Sequence, residues 1–131
     1  MLKIETEAAP APLGPYSQAV VSGDVVYVAM QLPISSEAED PAVESKADVE
    51  AQTRQVFDNI QAIIEAAGSS MAQIVKVTIY LTDLMDGKTV NPIYQGYFLK
   101  GDVLPARSLV GVASLPLGYK IAVDVMAVIE S

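Results

Sequence analysis

Hydrophobic positions recur at helical spacing along one long stretch of the chain and alternate with polar ones along several short stretches. The long stretch is Asp48 to Ala67. Val49, Val56, Ile60, Ile63, Ile64 and Ala67 fall on one face of a helix, while Glu50, Arg54, Asp58 and Gln61 fall on the other. Asp48 and Glu50 suit the positive end of that helix, and Gly68 is placed to stop it. From Ile74 to Leu81 the period drops to two. Val75, Val77, Ile79 and Leu81 make a wholly apolar face, and Ile74, Lys76, Thr78 and Tyr80 a mixed one. Lys120 to Ile129 repeats the pattern: Ile121, Val123, Val125, Ala127 and Ile129 stand against Lys120, Ala122, Asp124, Met126 and Val128. The pattern predicts a sheet with one face under helices and the other half polar, a face suited to cover by another subunit.

Turn chemistry supplies the remaining elements. Residues 1–13 are extended and rich in Ala and Pro, and Gly14 to Val21 is a turn feeding a strand. Ser22-Gly23-Asp24 carries hairpin chemistry, and Val25 to Ala29 is the returning strand, closed by Pro33. Ser35 to Lys46 is acidic and Ser-rich, a solvated loop without the order of a calcium loop. Thr82 to Thr89 is predicted as a loop. Asn91-Pro92 then resembles a cap and first helical residue, with Ile93, Tyr94, Tyr97 and Phe98 as the buried stripe of a shorter helix ending near Gly101. Leu109 to Ala113 is too short and too apolar for a helix and is predicted as a buried strand. Leu115-Pro116 ends it, Gly118 turns the chain, and Lys120 to Ile129 returns as a hairpin with Arg107 at its rim. The order ββαβαββ is an α+β layer with two helices on one sheet face, in a single domain over residues 1–131.

Composition narrows the function. The chain contains neither cysteine nor histidine, which removes thiol nucleophiles, imidazole bases, Ser-His-Asp triads and most transition-metal sites. No apolar run reaches the roughly 18 residues of a membrane span, and the first residues lack the apolar core of a signal peptide, so a cytoplasmic protein is expected. The net charge of −8, with its few cations scattered, argues against nucleic acid and anionic membrane as partners. An anionic ligand must then be small and met locally.

Arg107 is one of only two arginines and stands at the mouth of an apolar run. There its planar fork of donors suits a carboxylate ligand; pairing with a local carboxylate of the protein would explain it as well. Tyr16 after Gly-Pro is by itself a packing residue, Asn91 a helix cap, and Asp124 a mixed-face acid that a neighbouring Lys would explain. Lys76, Lys100 and Lys120 show no sign of desolvation, and Gly14, Gly23 and Gly111 form no phosphate cradle. The residues themselves point to a small-anion site at a sheet rim.

Gly14-Pro15-Tyr16-Ser17-Gln18-Ala19, Gln31-Leu32-Pro33, Asn91-x-x-Tyr94-x-x-Tyr97-Phe98 and Pro105-Ala106-Arg107-Ser108-x-Val110-x-Val112-Ala113-x-Leu115-Pro116 together resemble the Rid (YjgF-like) imine deaminase family, across nearly the whole chain. The helix opening Val49-Glu50-Ala51-Gln52-Thr53-Arg54-Gln55 is similar too. The resemblance implies a chorismate-mutase-like protomer and a homotrimer with ligand sites in clefts between subunits. It also implies hydrolysis of 2-imino and 2-enamino acids, such as 2-iminopropanoate and 2-iminobutanoate, to 2-keto acids and ammonia, without cofactor or metal. It makes Arg107 the catalytic, carboxylate-holding arginine, Tyr16 the site tyrosine and Asn91 an asparagine lent by a neighbouring subunit. Met30 and Leu109 complete the expected substrate site.

The chain departs from the family pattern where a last-strand glutamate becomes Ala122 and where Ser-Gly becomes Ala29-Met30. Asp124 matches a second acidic position, about 6.6 Å further along the strand. Two functions follow from the resemblance: an imine deaminase, or a trimer that binds or senses a small carboxylate without turnover. A ribonuclease or translation inhibitor, the role attached to some members, is the weakest reading at this net charge.

Overall fold

A computed structural model describes residues 1–37, 47–98 and 103–130. Its elements in chain order are β1 (Leu2–Ile4), β2 (Ala19–Ser22), β3 (Val25–Gln31), α1 (Val49–Ala66), β4 (Ile74–Leu81), α2 (Gly87–Tyr97), β5 (Ala106–Gly111) and β6 (Ile121–Val128). The strands form one sheet in the order β1-β2-β3-β6-β4-β5, antiparallel throughout except for the parallel pair β4 and β5. The α+β architecture with two helices is as the hydrophobic pattern predicts, with β1 added where only an extended segment was expected.

Helix α1 forms because cap, stripe and stop agree. Asp48 accepts the Ala51 N–H at 2.8 Å, and Gly68, at φ +85°, turns the chain so that Ser69 N–H reaches the Ile64 carbonyl at 3.0 Å. Val56, Phe57, Ile60, Ile63 and Ile64 enter the main core with Val77, Ile79, Leu81, Val123 and Val125. Each such side chain contributes about 1.5–3 kcal/mol when fully buried. Three polar residues share this inner face: Gln52, Thr53 and Asn59. Asn59 donates to the Leu32 and Ile34 carbonyls, and Gln52 accepts the Lys120 N–H and donates to the Ala47 carbonyl. They pin the chain leaving β3 and the chain entering β6 against the helix. Gly23, at φ +60°, makes the tight turn between β2 and β3.

Three expectations change. At the start of β4 a bulge shifts the register between Ile74 and Lys76, so Ile74 turns into the core (4% exposed) and Val75 turns out (46%). The alternation from Val77 onward is as the sequence implies. Helix α2 begins at Gly87, not after Asn91: Asp83 accepts the Met85 N–H at 3.0 Å and opens a short 3₁₀ turn, Leu84–Asp86, that runs into the helix. Asn91 is therefore an interior residue and Pro92 lies inside the helix. The helix runs to Tyr97; the predicted end near Gly101 and most of the Ser35–Lys46 loop lie outside the described residues.

The third change concerns β5. It neither lies in the core nor pairs with β6 as a hairpin. The unit β4–α2–β5 is a crossover with its helix on one sheet face, which makes the two strands parallel and puts β5 at the edge, while β6 enters between β3 and β4. Leu109 and Val110 are consequently exposed.

Candidate functional site

Arg107 pairs in register with Val77 and so lies on the helix-covered side of the edge strand. Its Nη1 donates to Asn91 Oδ1 at 2.7 Å, and its guanidinium carbon lies 4.8 Å from the centroid of the Tyr94 ring. Asn91 is free to accept because Asp83, eight residues earlier, begins the turn that leads into α2. The Tyr94 ring is itself held, 4.6 Å from the Phe98 centroid and edge-on to Phe57 at 5.7 Å. Asn91, Tyr94, Gln95, Leu104, Pro105 and Arg107 line an open cleft of about 360 Å³.

Among the described residues no acid lines this cleft and Arg107 forms no ion pair; the pairs found are Lys3–Glu5 and Arg54–Glu50, both exposed. No carboxylate among the described residues explains the arginine. The cleft holds an accessible cation with unused donors, the chemistry that captures a carboxylate. The Tyr94 hydroxyl is buried without a hydrogen-bond partner among the described residues. Burial pushes this phenol up from its ordinary pKa, and the charge of Arg107 pulls partly against that.

Tyr16 and Met30 lie elsewhere. With Pro10, Ala11, Pro12 and Leu13 they line a recess of only about 20 Å³ beside β2 and β3. There the Tyr16 hydroxyl accepts the Leu13 N–H at 3.1 Å. Gln18, buried just before β2, holds this rim by donating to the Thr6 and Pro10 carbonyls and accepting the Thr6 N–H. Leu109 points at Gly87 and is not part of the Arg107 cleft. The chain thus brings Arg107 and Asn91 together without a second copy, and Tyr16 and Met30 together, with β6 and β4 lying between the two groups in the sheet.

On the sheet face away from the helices, the Tyr80 hydroxyl donates to Asp124 Oδ2 at 2.8 Å and Lys76 donates to Ser108 Oγ at 2.7 Å. A tyrosine, not a lysine, accounts for Asp124. That bond first, then burial and the carboxylate charge, raise the Tyr80 pKa. Ala122, opposite Tyr80 in register, is fully buried in a second apolar cluster with Leu32, Ile34, Leu115 and Tyr119. Among the described residues no three His, Cys, Asp or Glu side chains converge as a metal site, and no helix is long and apolar enough to cross a membrane. The sequence signals Tyr94 as one member of a helical stripe and of a family-like motif, and Gln18 and Gln52 only within such motifs; Asn59 it does not signal.

A six-stranded sheet backed by two helices defines an α+β protein, with an arginine at the sheet edge that has no carboxylate partner among the described residues. The chain belongs to the family described as Endoribonuclease L-PSP, whose model matches residues 6–129. It is 44% identical over 124 residues to a RutC family protein of Pyrococcus horikoshii, covering 95% of this chain and 94% of that one. It is equally identical, over 126 residues and 95% of both chains, to the 2-iminobutanoate/2-iminopropanoate deaminase of Escherichia coli. Among solved structures, the E. coli YjgF gene product superposes with a TM-score of 0.89 at 42% identity, covering 98% of both chains. E. coli TdcF with bound serine superposes with a TM-score of 0.91 at 37% identity, covering 99% of this chain and 100% of that one.

Proposed function

We propose that this protein hydrolyses small 2-imino acids, with 2-iminopropanoate and 2-iminobutanoate as the reference substrates. The observation that carries the reading is the Arg107 cleft: an exposed guanidinium, held by Asn91 and Tyr94, with no carboxylate partner among the described residues. The named activity of the E. coli relative supports it. Arg107 takes the substrate carboxylate and so fixes the imine carbon beside it. Water adds to that carbon, and collapse of the adduct expels ammonia and leaves the 2-keto acid. The protein's own groups supply position and charge, so neither cofactor nor metal is called for.

The assembly proposed with this reading is a homotrimer. Tyr16 and Met30 of one copy then close over Arg107 and Asn91 of the next, and Met30 narrows the cleft toward short side chains. A second reading, a trimer that binds a small carboxylate without turnover, is favoured by Ala122. That position is apolar and sealed, and no carboxyl group stands there to hold the attacking water.

The test is keto-acid release from freshly generated 2-iminopropanoate and 2-iminobutanoate. Wild-type protein is expected to exceed the spontaneous rate. Arg107→Ala is expected to lose about 30-fold or more in kcat/KM, the scale set by losing a charged hydrogen-bonded partner. Release at the spontaneous rate, with pyruvate still bound through Arg107, would leave the binding reading in its place.

A further inference from the structure

We propose that Tyr94 is the positioning residue for Arg107. Its ring face, not its hydroxyl, sets the plane in which the guanidinium meets a carboxylate. Asn91 and Tyr94 are three apart on α2 and so present neighbouring side chains to the edge strand. One holds the Nη1 corner of the guanidinium at 2.7 Å, and the other sets its ring face against the guanidinium carbon, 4.8 Å from the ring centroid. What remains for a ligand is the Nε–Nη2 edge, which matches the two oxygens of a carboxylate side-on. The arginine is exposed and would otherwise sample many rotamers, whereas Tyr94 is 7% exposed and wedged between Phe57 and Phe98. A rigid aromatic plate thus fixes a flexible cation.

The hydroxyl points to the same division of labour. It is buried and unpartnered among the described residues, so neither the fold nor Arg107 uses it. Phenylalanine should serve as well as tyrosine at this position, and an aliphatic residue should not.

This inference rests on the reading of Arg107 as the carboxylate-capturing group, yet its test separates the two. The chain has two arginines, Arg54 and Arg107, so a proton–nitrogen spectrum of the guanidinium Nε–H groups contains two signals, and Arg107→Ala assigns them. In the wild type without ligand, the Arg107 signal is expected to be displaced by the Tyr94 ring current and the Arg54 signal not. Tyr94→Phe keeps the displacement and holds pyruvate affinity within about twofold. Tyr94→Leu abolishes the displacement and weakens pyruvate binding roughly 3–30-fold, with KM for 2-iminopropanoate rising more than kcat falls.

Tyr94→Met fills the same space should the leucine variant not fold. An undisplaced Arg107 signal in the wild type, unchanged affinity in Tyr94→Leu, or a loss in Tyr94→Phe as large as in Tyr94→Leu would each overturn the proposal. A displaced signal with no keto-acid release by the wild type would leave the positioning role standing and remove the deaminase reading alone.

Discussion

Tyr97 shows how a single side chain of this molecule registers pH. Its hydroxyl donates to Asp58 Oδ1 at 2.7 Å and also lies 3.0 Å from the Arg54 carbonyl. Burial first, then the bond to Asp58 and its charge, raise the phenol pKa far above its ordinary value of about 10. The folded state therefore keeps a proton that the unfolded state gives up. This contribution is fully present below pH ~10 and is lost as pH rises beyond it. Tyr80, raised by its bond to Asp124, and Tyr94, raised by burial, act in the same direction. Urea unfolding from pH 8 to 11 should show stability falling above about pH 10, and Tyr97→Phe should shallow that fall. At this scale the place of Arg107 at a sheet rim was legible in the sequence, because the chain turns extended just before it, while the Asn91 and Tyr94 side chains that hold it are brought there by the fold. The contact of Asn91 with Arg107 of its own chain was not legible, since Asn-Pro so strongly suggests a cap. Tyr94 was hidden, because a stripe residue that also supports an arginine carries the same spacing as one that only packs.

Helix α2 carries its own penalty. Pro92 sits inside it, so the Lys88 carbonyl has no N–H donor four residues on. Pro92→Ala is expected to raise stability by about 1–3 kcal/mol, seen as a higher urea midpoint with an unchanged slope. The Asn91–Arg107 bond should survive this change, because position 91 is already helical. The two helices were unequally legible for a physical reason. In α1 the cap, the stripe and Gly68 all agree, whereas in α2 a strong local signal at Asn91-Pro92 competes with the true start at Gly87, reached through the 3₁₀ turn that Asp83 opens. Strand β5 was misplaced for another reason. Its local sequence says only that it is extended and apolar, and its partner is chosen by the crossover through α2. The bulge at Ile74–Lys76 likewise leaves no local mark.

At the scale of the molecule, the face away from the helices presents Tyr27, Lys76, Thr78, Tyr80, Asp124 and Met126 in neighbouring register, with Tyr27 44% and Met126 37% exposed. A trimer packed through that face would bury both and bring the Tyr16 recess of one copy toward the Arg107 cleft of another. Light scattering is expected to give a trimeric mass for the wild type. Met126→Lys, which sets a charge in the proposed interface, should shift it toward monomer and reduce keto-acid release with it. A stable wild-type monomer that still turns over imines would remove the inter-subunit site. The sequence carried the half-polar alternation behind this expectation but not the separation of the site residues onto different parts of the sheet. That separation depends on strand order.

Strand order also has a kinetic consequence. Strand β6 follows all the others in the chain yet occupies the middle of the sheet, joining β1-β2-β3 to β4-β5. Until β6 has left the ribosome, β3 and β4 each show an open edge, and the ladders from Val25–Val128 and Leu81–Ile121 outward cannot close. The nascent chain is therefore two incomplete half-sheets, and folding must wait for long-range pairing of the kind that is slow and exposes sticky edges. Synthesis leaves this protein most open to aggregation just before its sixth strand arrives.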